Sequence, residues 1–414
     1  MSLESRIAKI RSALTSKLRC GPSLPKLCAA ALYVGVVGYG GPAILVQMKR
    51  IFVDEKAWLS EHDFMDGLSL AQLLPGATTV SLMAYLGHKL GRPYGAILAP
   101  ACFVLPATAL MIGASWAYFR YENLKTIQSL FAGLGALVVA LLANATFQLA
   151  RSVFRQRSLA EFKGAVIALL AFLAFYFGRL NMMFLVVGAG MLGFLLHYFD
   201  HPERPNGGGE RPVEATQAAV DRPKPYMPLL VMGLIAVAMI CFPQPRRIFA
   251  AFASIGTFAF GGGFAAIPLI QSRVVDHLHW LSLAQFRDGI ALGQVTPGPV
   301  FITATFIGYK VMGVMGALIA TVAIFMPSLA AMIALSEVHH AIRNLKPVQA
   351  IIGGILAGFI GLLAGVTMQF AMKSLVEWQA WLICCGSVAL IGYYKKNVLW
   401  AIAGTALVSP LIFR

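Results

Sequence analysis

The sequence predicts an all-α, polytopic integral membrane protein whose two homologous halves form an inverted-topology repeat. Three observations predict this fold class: a strongly apolar composition, a series of about 12 to 13 apolar segments that span or nearly span a bilayer, and an internal duplication. Glycine and proline interrupt several of these segments, so some of the transmembrane helices are expected to be broken.

The composition excludes a soluble enzyme, a disordered chain and a disulfide-stapled secreted domain. Of the 414 residues, 58% are hydrophobic and only 12% are charged, which is about half the charged share of a soluble globular protein. The formal net charge of +16 fits basic cytoplasmic loops near anionic lipid better than nucleic-acid binding. The 6 cysteines include no Cys-x-x-Cys pair, so we expect neither a disulfide nor a metal site.

Apolar runs of transmembrane or nearly transmembrane length follow one another along most of the chain. Lys and Arg are commoner in the regions that would face the cytoplasm if the N-terminus is cytoplasmic. That orientation would place residues 47–66 outside the cell and residues 271–287 inside it. The predicted segments are 28–46, 67–88, 94–118, 126–149, 164–178, 180–199, 227–242, 249–270, 288–310, 313–335, 347–370, 377–392 and 396–412.

The same pattern divides the chain into five regions. Residues 1–27 form a basic amphipathic tail that is expected to lie on the cytoplasmic membrane surface. A first repeat at 28–199 is followed by a polar, Pro/Gly-rich linker at 200–226. One extra transmembrane segment, at 227–248, precedes the second repeat at 249–414. Because each repeat crosses the membrane an even number of times, this extra segment inverts the second repeat relative to the first.

The two halves carry the same motifs in the same order. A Trp-Leu-Ser motif is followed in each half by Phe, by Asp-Gly, by Gln and finally by Pro-Gly, and so many matches at constant spacing indicate an internal duplication. The matched residues are Trp58-Leu59-Ser60 with Trp280-Leu281-Ser282, Phe64 with Phe286, Asp66-Gly67 with Asp288-Gly289, Gln72 with Gln294, and Pro75-Gly76 with Pro297-Gly298.

Each half also contains two helix breakers inside apolar sequence. At membrane depth, broken backbone is tolerated only where protein or a water-filled cavity covers it. The free N-terminus of a broken helix has unpaired N–H groups and a partial positive charge, which bind anions. A kink or close helix packing is the alternative, but paired interruptions favour a transport site. The four breakers are Gly40-Gly41-Pro42 and Pro75-Gly76 in the first half, and Gly261-Gly262-Gly263 and Pro297-Gly298-Pro299 in the second.

Amide and hydroxyl groups around the second breaker of each half suit an oxyanion, because they donate hydrogen bonds without placing a full charge at the bilayer centre. Gln72 and Gln294 each precede the breaker's proline by three residues. Pro299 has no N–H group, so the amides of Val300 and Phe301 are the expected backbone donors. For a single threonine, a hydrogen bond to its own helix is the alternative. The hydroxyl candidates are Thr78, Thr296 and Thr303.

Charged residues near the predicted membrane surfaces form a further set of candidates, either to gather anions or to couple transport to protons. Interface anchoring beside the tryptophans is the alternative role for the basic members, and helix capping is the alternative for the acidic ones. These candidates are Arg50, Asp66, Arg273 and Asp288.

Several chemistries have no motif in this sequence. It contains no phosphate-binding loop, no zinc-protease or Cys/His metal motif and no dinucleotide fingerprint in a βαβ context, so we expect no nucleotide, metal or cofactor. The expected partners are a small anion and membrane lipid rather than nucleic acid. A homodimer is left open.

On these motifs the chain resembles the chromate ion transporter family in its long form with two fused halves. The resemblance covers nearly the whole chain except the N-terminal tail and the linker. One departure stands out: the family commonly has Pro-Gly-Pro in both halves, whereas Ala77 follows Pro75-Gly76 here. The motifs concerned are those at 40–42, 58–60, 72–76, 260–263 and 293–309.

The resemblance implies a secondary transporter, not an enzyme, that exports chromate from the cytoplasm across the bacterial inner membrane. The driving force would be the membrane potential or coupling to protons or another anion. Sulfate is the implied natural analogue, since both ions are tetrahedral dianions. Two alternatives stay open: a transporter or channel for sulfate or another oxyanion, and a membrane-embedded enzyme acting on the oxyanion, for which no redox ligand set is visible.

Overall fold

A computed structural model describes residues 22–39, 41–154, 159–178, 180, 182–198, 226–335, 346–394 and 398–413. Within these ranges the chain is α-helical, and short 3₁₀ and π-helical turns extend some of the helices. Most of the N-terminal tail and of the linker predicted above lie outside the described residues. The predicted all-α, polytopic character is confirmed.

The described residues form fifteen α-helices. In chain order they are α1 Leu24–Val37, α2 Gly41–Lys49, α3 Glu61–Leu73, α4 Thr78–Tyr121, α5 Lys125–Val153, α6 Leu159–Tyr176, α7 Met182–Tyr198, α8 Tyr226–Ile240, α9 Pro243–Phe258, α10 Ala266–Gln271, α11 Leu283–Val295, α12 Thr303–Leu335, α13 Lys346–Ser374, α14 Trp378–Val388 and α15 Val398–Ile412. The short turns are π-helical at Arg50–Glu55, Ser272–His277 and Ala389–Tyr393, and 3₁₀ at Gly263–Ala265 and Val300–Ile302.

Helix α3 and the first part of α4 form an antiparallel hairpin. A Cβ atom on Gly67 would lie 2.3 Å from the ring of Tyr85, so the two arms are in close contact midway along the hairpin. An ion pair between Asp63 and Lys89 joins the arms at the open end. The Pro75-Gly76 breaker therefore forms the tip of the hairpin. The predicted segment 67–88 is a pair of short helices rather than one helix.

Helix α4 then reverses direction at Gly91 and Arg92, whose backbone angles are not helical. The reversal brings the two parts of α4 together, and a Cβ atom on Gly87 would lie 2.2 Å from the carbonyl oxygen of Gly95. Glycine is required there because any side chain would push the two helices apart. The second part of α4, ending at Tyr121, is the first helix long enough to cross a bilayer.

The second repeat folds in the same way. A Cβ atom on Gly289 would lie 2.5 Å from the ring of Phe306, and one on Gly293 would lie 2.9 Å from Oγ1 of Thr303. Helix α11 and the start of α12 therefore form a hairpin with Pro297-Gly298-Pro299 at its tip. Helix α12 reverses at Gly313, where φ is +59°. The predicted segment 288–310 is thus also a hairpin.

The first breaker of the first repeat separates α1 from α2, and both helices have their outer ends at the same end of the bundle. Gly91 packs against Leu24 near the start of α1, while Lys49 at the end of α2 pairs with Glu61 at the start of α3. Residues 47–66 therefore lie at the same end as the start of α1. This corrects the predicted placement, which set 47–66 on the side opposite the N-terminus.

The corresponding segment of the second repeat, 271–287, lies at the end opposite the start of α1. This also corrects its predicted placement, which set 271–287 on the same side as the N-terminus. The hydroxyl group of Tyr118, near the end of α4, donates a hydrogen bond to Asp288 at the start of α11. The hairpins of the two repeats thus enter from opposite ends, as the predicted inverted repeat requires. Within the described part of the chain, four helical stretches could cross a membrane by length and composition: Thr78–Tyr121, Lys125–Val153, Val300–Leu335 and Pro347–Ser374.

Small residues allow the supporting helices to approach closely. A Cβ atom on Gly361 of α13 would lie 2.0 Å from the carbonyl oxygen of Ala168 in α6, and one on Gly354 would lie 2.3 Å from that of Ala189 in α7. Glycines at four-residue spacing are expected to pack helices in this way. Gly358 and Gly365 make similar contacts, with Ala189 in α7 and Phe175 in α6, so the glycines of α13 pack it against both helices.

Candidate anion site at the hairpin tips

The tip of each hairpin is buried and forms a hydrogen bond with the other repeat. The amide of Gly298, in the second repeat, donates to the carbonyl oxygen of Gly38, in the first, over 2.9 Å. The amide of Gly76, in the first repeat, donates to the carbonyl oxygen of Ala259, in the second, over 2.6 Å. Each repeat's second breaker therefore binds the residue two positions before the other repeat's first breaker, in two related contacts.

Glycine is required at both donor positions. The φ angle is +103° at Gly76 and +117° at Gly298, a region that L-amino acids other than glycine rarely adopt. A Cβ atom would also lie 2.5 Å from Cβ of Ser328 in the first case and 2.8 Å from Cβ of Ala107 in the second. The neighbour belongs to the other repeat each time. Glycine at position 298 therefore allows the backbone to approach Gly38 and Ala107 of the first repeat closely.

Two helix N-termini of the second repeat lie side by side. A Cβ atom on Gly263 would lie 2.8 Å from Cβ of Val300, so the helical run that starts at Gly263 and the one that starts at Val300 begin next to each other. The first N–H groups of a helix have no partner within it. A Cβ atom on Gly262, where φ is +92°, would meet nothing within 4 Å, so there is open space beside the residue that precedes the first of these termini.

Gln294 presents a polar group that nothing in the described structure satisfies. Its Nε2 atom is buried and has no hydrogen-bond partner. An unsatisfied buried donor costs about 1 to 3 kcal/mol, so such a group marks a place where a ligand or water is expected. The matched residue Gln72 is exposed instead. The two glutamines, which the sequence treats as equivalent, thus have different surroundings.

The threonine candidates donate to their own backbone. Thr296 Oγ1 donates to the carbonyl oxygen of Gly293 over 3.2 Å, and Thr303 Oγ1 donates to that of Val300 over 3.1 Å. Thr78 is the first residue of α4 and is half-buried. For Thr296 and Thr303, the structure shows the alternative given above, a local hydrogen bond.

The remaining backbone candidates surround the tips. Gly40 lies outside the described residues, and Gly41 begins α2. Gly261, with φ of +92°, packs beside Leu356. Phe301 is buried in the 3₁₀ turn that precedes α12. Pro297 and Pro299 are buried on either side of Gly298, while Pro75 lies with Phe260 beside an apolar cavity of about 300 Å³.

The charged candidates lie away from the tips. Arg50 donates to Glu55 over 2.7 Å, and Asp66 lies 3.2 Å from Nδ1 of His62. Arg273 has a buried Nε atom without a hydrogen-bond partner. Asp288 is buried in a polar cluster at the end of the bundle, where Arg287 and Tyr118 contact it.

Sequence reasoning missed most of that cluster. Tyr118 is 170 positions from Asp288, and no local pattern connects the two residues. Arg287 follows the matched Phe286 and occupies the position of Met65 in the first repeat, so a comparison of the repeats would have flagged it. Among the described residues, no group of three or more His, Cys, Asp or Glu side chains is placed to hold a metal ion.

Comparisons with known proteins agree with this architecture. The chromate transporter family model matches residues 25–194 and 246–409, one match for each repeat. A chromate transport protein of Cupriavidus metallidurans is 31% identical over 393 residues, covering 94% of both chains. One of Pseudomonas aeruginosa is 31% identical over 420 residues, covering 99% of this chain and 97% of its own.

An uncharacterised transporter of Methanocaldococcus jannaschii is 30% identical over 404 residues, covering 95% of this chain and 96% of its own. No solved structure matches the chain. Two matches of the family model, one on each repeat, and relatives aligned over nearly the full length confirm the resemblance drawn from the motifs. The chain is a multi-pass membrane transport protein, not an enzyme, and it belongs to the chromate transporter family.

Proposed function

We propose that this protein exports chromate from the cytoplasm across the inner membrane of a bacterium, and that the anion binds beside the hairpin tips. The observation that supports the site is the contact of each tip with the other repeat, with Gly298 bonded to Gly38 and Gly76 bonded to Ala259. Binding between inverted repeats, near the membrane midplane, is the arrangement that alternating access uses in many secondary transporters.

The donors at this site are neutral. Val300 and Phe301 begin one helical run, Gly263 begins the neighbouring one, and Gln294 adds the unsatisfied Nε2 atom. Amides at helix N-termini attract an anion through the helix dipole without a buried cation. An oxyanion with four oxygens can accept from several of these donors at once, which suits chromate and equally suits sulfate.

Export is favoured by the charge of the substrate. Moving a dianion out of a cell whose interior is negative releases roughly 4.6 kcal/mol per 100 mV, twice the value for one elementary charge. The membrane potential could therefore drive export by itself. With a cytoplasmic N-terminus, the hairpins of the first repeat enter from the cytoplasmic side, because they share the end of the bundle with α1.

Chromate flux in proteoliposomes tests the proposal. We expect a membrane potential, positive on the side that receives the anion, to accelerate flux in the absence of a pH gradient. Excess sulfate should inhibit chromate flux if the site recognises any tetrahedral dianion. Chromate flux that does not change with the membrane potential would overturn the proposed driving force. Sulfate flux without chromate flux would show that sulfate, not chromate, is the substrate.

A further inference from the structure

A second polar site lies at the end of the bundle where the hairpins of the second repeat begin. Asp288 is 6% exposed and accepts three hydrogen bonds. Arg287 donates to Oδ1 from Nε over 3.0 Å and from Nη2 over 2.9 Å, and the Tyr118 hydroxyl donates to Oδ2 over 2.9 Å. Arg287 also donates from Nη1 to Oγ of Ser374 over 3.0 Å. The guanidinium group is thus held by one carboxylate and one hydroxyl.

This cluster lines an open cavity of about 510 Å³. The volume is sufficient for an oxyanion together with part of its hydration shell. Arg287 reaches the cavity across α5, where a Cβ atom on Gly135 would lie 2.7 Å from the guanidinium carbon. Glycine at position 135 makes room for the side chain, so this path for Arg287 is built into the helix packing. The other charged residues that line the cavity are Glu122, Lys373 and Glu377.

The first repeat has no equivalent of this pair. Met65 takes the place of Arg287, and the matched carboxylate Asp66 pairs with the exposed His62. Asp66 does not line the cavity. The arrangement is therefore a specific feature of the second repeat and not a by-product of the duplicated fold.

A guanidinium group offers the same paired donors to a carboxylate and to a tetrahedral oxyanion, so the two compete for it. We propose that Arg287 and Asp288 form a proton-gated oxyanion site: Asp288 takes up a proton from solution, its hold on Arg287 weakens, and Arg287 binds the anion that enters or leaves through this mouth. This inference rests on the proposed function and adds a second binding station and its control.

The other charged groups around the cavity do not replace Asp288 in this role. Glu122 accepts a hydrogen bond from Nε2 of Gln285 over 3.3 Å rather than from Arg287. Lys373 and Glu377 are both exposed, so solvent screens them. Asp288 is the carboxylate that contacts the guanidinium group directly.

The test measures the KM for chromate in proteoliposomes with equal pH on both sides, for the wild type and for Asp288→Asn, from acidic to alkaline buffers. We expect the wild-type KM to match that of the variant in acid and to exceed it increasingly as pH rises, by up to about tenfold per pH unit. Protonation of chromate itself affects both proteins equally and cancels in this ratio. Arg287→Gln should raise KM about tenfold in acid. The ratio of its KM to that of Asp288→Asn should not change with pH.

Glu377→Gln removes an exposed carboxylate that lines the same cavity, so it is the control and should keep the wild-type profile. Tyr118→Phe removes one hydrogen bond that stabilises the charged carboxylate, so Asp288 should stay protonated to a higher pH. The KM of this variant should therefore match that of Asp288→Asn up to a higher pH than the wild-type KM does. This second variant carries the test if Asp288→Asn does not fold. Parallel KM profiles for the wild type and a folded variant would overturn the proton-gated site. Absence of chromate flux in the wild type would instead overturn the proposed function.

Discussion

Gly76 donates its amide hydrogen to the carbonyl oxygen of Ala259 over 2.6 Å, from the first repeat to the second. The related contact between Gly298 and Gly38 runs the other way, from the second repeat to the first. Each breaker is therefore completed by the opposite repeat. A change at one tip should disturb both repeats, which is why the glycines at the tips give the most direct tests of the site.

The first prediction concerns Gly298. Replacement by Val should nearly abolish chromate flux, because φ is +117° and a Cβ atom would lie 2.8 Å from Cβ of Ala107. Replacement by Ala should be milder but still impair flux, since it meets the same backbone strain and the same neighbour. Flux is to be compared at equal membrane abundance.

Two variants control this experiment. Gly113 lies in the same helix as Ala107, and a Cβ atom there meets nothing within 4 Å, so Gly113→Val should transport normally. Combining Gly298→Ala with Ala107→Gly removes the close contact and should restore part of the flux. A folded Gly298→Val protein with normal transport would refute the site at the tips.

The second prediction separates the two matched glutamines. Gln294→Leu should reduce flux by about tenfold or more, because it removes the buried, unsatisfied Nε2 donor beside the second breaker. Gln72→Leu is the matched control and should have a smaller effect, because that side chain is exposed. Equal losses for the two variants would show that the repeats contribute alike.

The duplication and the breakers could be predicted from the sequence because local chemistry specifies them. Proline and glycine interrupt a helix wherever they stand, and their recurrence at matched positions is visible in the residues alone. The shape of the interruption could not be predicted in the same way. An apolar segment such as 288–310 has the length of one transmembrane helix, and only contacts such as that between Gly289 and Phe306 reveal two short arms.

The cluster around Asp288 shows a second limit of sequence-based prediction. Asp288 was a candidate because Asp66 matches it, but the residues that give it a role lie elsewhere in the chain or differ between the repeats. Tyr118 approaches only because α4 reverses at Gly91 and then runs to the opposite end of the bundle. Equivalent sequence positions therefore acquired different surroundings.

A third prediction concerns stability rather than transport. Gly361→Leu should lower the melting temperature strongly or prevent folding, because a Cβ atom would lie 2.0 Å from the carbonyl oxygen of Ala168 and would separate α13 from α6. Gly353→Leu, in the same helix, is the control: nothing lies within 4 Å of its Cβ position. Thermal unfolding in detergent would measure the difference. Similar melting temperatures for the two variants would contradict the close packing of these helices.

The last prediction tests how the hairpins enter the membrane. His62 and Ala284 occupy matched positions in the two repeats, and both side chains are exposed. Ser23, just before α1, is also exposed and marks the end of the bundle at which the described chain begins. Because the contacts place α1 and α3 at one end and α11 at the other, a cysteine at position 62 should be labelled from the same side as a cysteine at position 23. A cysteine at position 284 should be labelled from the opposite side.

The experiment requires a background without the native cysteines, since Cys241 and Cys385 are exposed. A membrane-impermeant maleimide applied to intact cells and then to inverted vesicles would read the side of each position. If each breaker-containing segment were instead a single continuous span, position 62 would be labelled from the side opposite position 23. That result would contradict the hairpins of the first repeat while leaving the inverted relation between positions 62 and 284 intact, so the two features of the fold are tested separately.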